Sequence, residues 1–287
     1  MKKSFLLLLL ILFSCGGGPE VKEIPEHLII GIEEMIKGNS FYQNGCYKMA
    51  LDKYFKAYKY FVVSDQIKNS AKVLNNIGNV YRVYGDNKSA LLFFDEAQSI
   101  YESLGDNKGI AQTSSNKAAS YISLGDFKKA RSILLTSISE MENEKIFVPS
   151  LKRNLGIMHL KMGNFEKAEM IFNQIQKRNS ENEVLSSSLY FAIGDLKSTN
   201  KQFKKAIVNY EKALQIDKQS GFFVGIAQDL NKIGSAYDSL DKKKKAYIFL
   251  KRSLMIYAVL GMKKKSDELL KKIKVIEPKD VSVDSFL

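Results

Sequence analysis

The feature that most constrains this chain is a recurrence of small residues. Alanines stand at Ala50, Ala90, Ala130, Ala168, Ala206 and Ala246, separated by 40, 40, 38, 38 and 40 residues. Four residues after each comes an aromatic or a leucine: Tyr54, Phe94, Leu134, Phe172, Tyr210 and Leu250. Twelve residues before each stands a second small residue, Gly38, Gly78, Ala118, Gly156, Gly194 or Gly234. Spacings of three, four and seven residues are helical. A fixed period of this length makes each unit a helical hairpin that buries its apolar face only by stacking on its neighbours. Small residues on facing helices let the backbones approach closely, and the larger ring fills the space that is left. Gly45, Gly85, Gly125 and Gly163 fall five residues before their alanines, where the first helix of each pair must end in a left-handed residue; Lys201 and Asp241 take that place in the last two units.

Proline supports the same reading. No proline lies between Pro25 and Pro149, a stretch that loop-rich β folds rarely manage without a breaker. The expected fold is all-α, a right-handed superhelical stack of about six helix pairs over residues 28–260. Residues 261–287 form a Lys-rich capping helix and tail, with Leu269, Leu270 and Ile273 on one face of a helix over Lys263 to Ile276. The small-x-x-Tyr and Ala-x-x-x-Phe pattern resembles the tetratricopeptide repeat. It departs from that family in having no tryptophan and no proline closing the second helix, and its period is longer than the common 34.

The start, MKKSFLLLLLILFSC, has a basic Lys2-Lys3 pair and an apolar run from Phe5 to Phe13. The run is far short of the roughly 20 residues that span a bilayer, so it reads as an export signal. Leu12-Phe13-Ser14-Cys15 resembles the lipobox of bacterial lipoproteins, which implies cleavage after residue 14 and a diacylglycerol on Cys15. Residues 15–27, opening Cys15-Gly16-Gly17-Gly18, then serve as a flexible tether. The expected address is exported and lipid-anchored to the bacterial cell membrane, at the outer membrane or periplasmic face.

Composition leaves little room for catalysis. The chain has two cysteines and two histidines, too few for a cysteine or histidine metal site; no metal and no cofactor are expected. Ser114 and Lys117 have the Ser-x-x-Lys spacing of acyl-serine enzymes but lack the companion motifs, and the chain reads as a non-enzyme. The formal charge is +13, concentrated between Lys242 and Lys279. A single C-terminal concentration argues against a nucleic-acid partner, whose reader spreads basic residues along a face; it leaves open an anionic surface or a solvated cap.

What the tetratricopeptide resemblance implies is a concave groove lined by the first helices. The residues carried over are Asn39, Tyr42, Lys72, Asn75, Asn79, Arg82, Gln112, Ser115, Arg153, Lys161, Gln228 and Asn231, with Ala119, Ile157 and Ser235 beside them. Asn, Gln and Arg side chains can bond an extended peptide backbone without demanding one sequence. The expected function is a lipid-anchored scaffold of the bacterial cell envelope that binds a peptide or protein partner in this groove. The alternative is an accessory subunit of an envelope transport or outer-membrane assembly complex.

Overall fold

The computed structural model describes residues 25–178 and 186–276; the expected export signal, Cys15, Lys279 and the end of the tail lie outside the described residues. The described residues form thirteen helices: α1 (Glu26–Gln43), α2 (Tyr47–Val63), α3 (Ile67–Tyr84), α4 (Asn87–Ser103), α5 (Asn107–Leu124), α6 (Phe127–Asn143), α7 (Pro149–Lys161), α8 (Phe165–Arg178), α9 (Ser187–Thr199), α10 (Phe203–Ser220), α11 (Phe223–Ser239), α12 (Lys243–Val259) and α13 (Lys263–Ile276). The odd-numbered helices through α11 are the first members of six hairpins, and α13 closes the stack.

The small residues meet the rings as the spacing requires. All six repeat alanines are completely buried. A Cβ added to Gly38 would lie 2.6 Å from the Tyr54 ring, at Gly78 2.5 Å from Phe94, and at Gly194 2.5 Å from Tyr210. Each is a contact that no real Cβ could make, so glycine here is a packing requirement rather than a flexibility device. The tight turns follow the same economy. Gly85 sits at φ +87°, and the amide of Asp86 donates to the Tyr81 carbonyl, closing α3 in the wrap-around manner of a left-handed cap. Asp86 then starts α4 by accepting from the Ser89 amide, as Asp106 and Asp126 do for α5 and α6. Lys201 and Asp241 adopt φ +56°, the conformation expected of them, at some cost in strain that glycine would avoid.

α13 lays Leu269 and Ile273 onto Ala246, Leu250 and Tyr257, so the last hairpin has a covered face. Its lysines are less uniformly solvated than a simple cap would be. Lys272 donates to the Ser235 hydroxyl at 2.6 Å, and Lys265 stands over the Tyr257 ring at 5.5 Å.

The stack also closes on itself. Gly45, in the turn after α1, faces Leu260 and Val224: a Cβ there would lie 3.0 Å from Leu260 Cδ2 and 3.3 Å from Val224 Cγ2. Val224 is 1% exposed within a cluster built mainly by the first two hairpins (Met35, Tyr47, Tyr54, Val80), against which Phe222, Leu260 and Met262 also pack. Sequence distance therefore misleads about the basic C-terminal part: the turn before α13 lies against the first hairpin, not a full stack-length away from it. Among the described residues no helix is long and apolar enough to cross a membrane.

Candidate functional site

The first helices line an interior channel that stays open to solvent along part of its wall. Its central cavity has a volume of about 620 Å³ and is lined by residues from α3 to α11, among them Arg82, Arg153, Phe191, Gln228 and Lys232. A second hollow of about 900 Å³ shares Lys161, Phe191, Gln228 and Lys232 with it and runs on to Asn231, Lys265 and Lys272. Volumes of several hundred Å³ suit a small ligand or a short peptide segment.

The polar wall has a definite electrostatic layout. Arg82 and Arg153 approach one another from α3 and α7. Burial, and then the charge of Arg82, pulls the Arg153 guanidinium down to about 10, which leaves it cationic at neutral pH. Arg153 donates to Ser188 Oγ at 2.7 Å and Arg82 to Asn79 Oδ1 at 3.3 Å. Among the described residues neither guanidinium has a carboxylate within ion-pair distance, and Arg82 Nε is buried without a partner. Lys232, by contrast, is neutralised by Asp195 at 2.8 Å and stands over the Phe191 ring. Deeper in the wall, Asp217 (6% exposed) and Asp229 (1% exposed) face one another. Burial first, then the charge of Asp217, pushes the Asp229 carboxyl up to about 9, so the pair holds a proton at neutral pH.

Two family models match the chain: tetratricopeptide repeat over residues 147–219, and soluble NSF attachment protein, SNAP, over residues 33–179, just over half of the 287 residues. The chain belongs to the tetratricopeptide repeat proteins. No curated protein matches this tetratricopeptide repeat protein significantly. Solved structures similar to it include NprR in complex with its cognate peptide NprX, with 14% identity, 93% of this chain and 79% of that chain covered, and a TM-score of 0.66. The Rap conjugation gene regulator of plasmid pLS20 in complex with the Phr* peptide has 16% identity, coverages of 93% and 80%, and a TM-score of 0.63. A Rap protein complexed with Competence and Sporulation Factor has 15% identity, coverages of 90% and 78%, and a TM-score of 0.62. At these identities the likeness is one of fold.

The residues expected in the groove of this tetratricopeptide repeat protein divide into two sets. Arg82, Arg153, Lys161 and Gln228, with Ala119 and Ile157, line the central cavity; Asn231 and Ser235 line its continuation. Several asparagines are engaged instead in a ladder between successive first helices. Asn76 donates to Asn39 Oδ1 at 3.2 Å, Asn116 to Asn75 Oδ1 at 3.0 Å, and the Asn154 amide to both Ser115 O and Ser115 Oγ. Asn39 also accepts from Tyr54, and Asn75 and Ser115 are buried. Tyr42 packs edge-on against Tyr47 beside the closure, and Lys72 and Gln112 are exposed outside both hollows. Asp195, Asp217, Asp229 and Phe191, which the sequence reading did not single out, line the cavity. Ser114 is buried, and Lys117 is held by Asp95 at 2.7 Å, which removes the acyl-serine spacing from consideration. No group of three or more metal-binding side chains occurs among the described residues.

Proposed function

We propose that this protein is a lipid-anchored interaction scaffold of the bacterial envelope, tethered through Cys15, whose channel holds an extended peptide segment of a protein partner. The observation that carries the reading is the pair of guanidinium groups without a carboxylate partner, Arg82 and Arg153, set in the wall of the channel. Partly buried charge without a counterion is unfavourable, and a ligand that supplied carbonyl or carboxylate oxygens there would offset it. The fold likeness to proteins solved with peptides bound agrees with this use of the channel. The export signal and the lipobox-like Leu12–Cys15 support the address.

The test is site-specific photocrosslinking in intact cells. A photoreactive residue at Phe191 or Gln228 faces the channel, whereas one at Leu92, 70% exposed on α4, faces away from it. Discrete adducts are expected from positions 191 and 228 and not from 92. Adducts of equal yield from all three, or from 92 alone, would remove the channel from consideration as the binding surface.

A further inference from the structure

In equivalent positions of the repeat, two residues break the apolar pattern together. The place eleven residues after each repeat alanine is Phe61, Tyr101 and Met141 in the first three hairpins and Tyr257 in the sixth, all buried; in the fifth it is Asp217, and in the fourth it is Asn179, outside the described residues. The place five residues before the small residue of the first helix is Val73, Thr113, Leu151 and Leu189 in hairpins two to five, all buried; in the sixth it is Asp229, and in the first, at the end of the stack, an exposed Glu33. Gly109 makes room for the Tyr101 ring, and a Cβ there would overlap it. Gly225, at the same place in the sixth hairpin, makes the same room, but the side chain opposite is a carboxylate rather than a ring. The Asp217 carboxylate fills that room, since a Cβ on Gly225 would fall 1.9 Å from its Oδ2, and the channel wall beside it includes Asp217, Gly225 and Asp229. Ser187 and Asp229 both hydrogen-bond Asp217, and Asp229 Oδ2 is buried with no partner outside the pair.

A core that substitutes two carboxyls for two apolar side chains loses stability unless something binds there. We propose that this carboxyl pair between α10 and α11, set in the channel wall, is a subsite for one cationic side chain, an arginine or lysine of the peptide held in the channel. The inference rests on the channel reading and names the chemistry of its ligand. The cation would approach from the channel, place its donors on Asp217 and Asp229, and displace the proton they hold. The other titratable or charged groups around the pair are Tyr210 on α10, Tyr257 on α12, Asp195 on α9 with its partner Lys232 on α11, and Arg153 on α7. The tyrosines are raised far above neutral pH by burial, and Asp195 is already compensated, so the carboxyl pair is the group positioned to exchange a proton for a cation.

The probe is Nα-acetyl-arginine methylamide, with the citrulline analogue as its uncharged isostere, titrated into the full-length chain in detergent micelles while the Gly225 amide resonance is followed. Arginine should shift that resonance saturably, and citrulline should bind at least about tenfold more weakly, the loss expected for hydrogen bonds to a charged group. With Asp229 titrating at about 9, the arginine affinity should climb about fifty-fold from pH 7 to pH 9 and level off above, because one proton leaves for each cation bound. Asp217→Asn and Asp229→Asn should each abolish the shift. The pair Asp217→Met with Asp229→Leu, which restores the pattern of the other hairpins, should abolish it while raising the melting temperature, so that lost binding is separated from lost folding. Equal affinity for arginine and citrulline, no shift at Gly225, or an affinity flat with pH would each overturn the subsite. Because the probe is a single residue read at Gly225, the subsite can fail while photocrosslinking from positions 191 and 228 succeeds, and the reverse.

Discussion

Closure of the stack rests on a small apolar contact that can be removed without touching the repeat interior. Leu260 and Met262 flank the turn between α12 and α13, are partly buried, and pack against the cluster of the first two hairpins. Complete burial of such side chains is worth about 1.5–3 kcal/mol each. At partial burial the pair contributes on the order of 2–3 kcal/mol, a factor of roughly 30 to 150 in the closed-to-open ratio. Leu260→Ser with Met262→Ser should therefore convert a closed population into a mixture of closed and open states. Cys46 is exposed beside this contact and is the only cysteine once Cys15 is replaced by serine. A spin label on it, paired with one at Lys264→Cys, which lines the same crevice, reports the closure directly by electron double resonance. The parent should give one narrow, short distance, and the serine pair should add a broad, longer component with helicity unchanged. If the serine pair reproduces the parent distribution, the ends are not held by this contact, and the stacking of the repeats alone sets the curvature.

Four further outcomes are expected. Ala130→Glu should lower the melting temperature more than Ala246→Glu, because both alanines are fully buried but α6 lies mid-stack, where a buried unpaired carboxylate disturbs two neighbours at a cost of several kcal/mol; equal losses would argue against repeat-by-repeat stacking. Asp229 titrates higher in the native state than the unfolded value of roughly 4. Its neutral form therefore favours folding fully below about pH 4, and that contribution is lost as pH rises toward 9; Asp217→Met with Asp229→Leu should stabilise by about 1–4 kcal/mol and flatten the pH dependence of the melting temperature between these limits. Cys15→Ser should release the protein from membranes into the soluble fraction, and quantitative retention would count against acylation at that residue. The protein lacking residues 1–15 should bind anionic vesicles weakly and let go with added salt, and glutamine at Lys242 to Lys245 and Lys263 to Lys265 should abolish this without altering helicity; indifference to vesicles at low ionic strength would make the patch a solubilising cap.

Most of the architecture was legible because the repeat is governed by local packing. Gly78 under Phe94, or Ala130 with no exposed surface, follows from helical spacing and side-chain size, both of which are written in the chain. Lys201 and Asp241 could be assigned to left-handed turns because the register left no other role for them. The asparagines were harder. A helix-face position tells which side of the stack a residue lies on, but Asn75 and Ser115 lie close enough to the next first helix to be bonded by it, and that depends on the rotation between neighbouring hairpins. Six small rotations summed along the stack also decide whether the ends meet, so the closure at Gly45 and Leu260 could not be read from any one repeat.

The acidic pair shows where the sequence held more than its motif. Asp217 and Asp229 are invisible to a search for catalytic spacings, since they stand on different helices and resemble surface residues in composition. Aligned with the other hairpins, each falls at a place that most of them fill with a buried apolar side chain, and the two buried carboxyls fall at one interface, between α10 and α11. A single polar intrusion into a repeat core can be drift tolerated by excess stability. Two that touch, in the wall of a channel and with a glycine opposite that makes room for the Asp217 carboxylate, would need a common cause. A ligand cation is the one addition that would satisfy both carboxyls at once, and it is the reason to measure affinity against pH before searching for a partner by sequence.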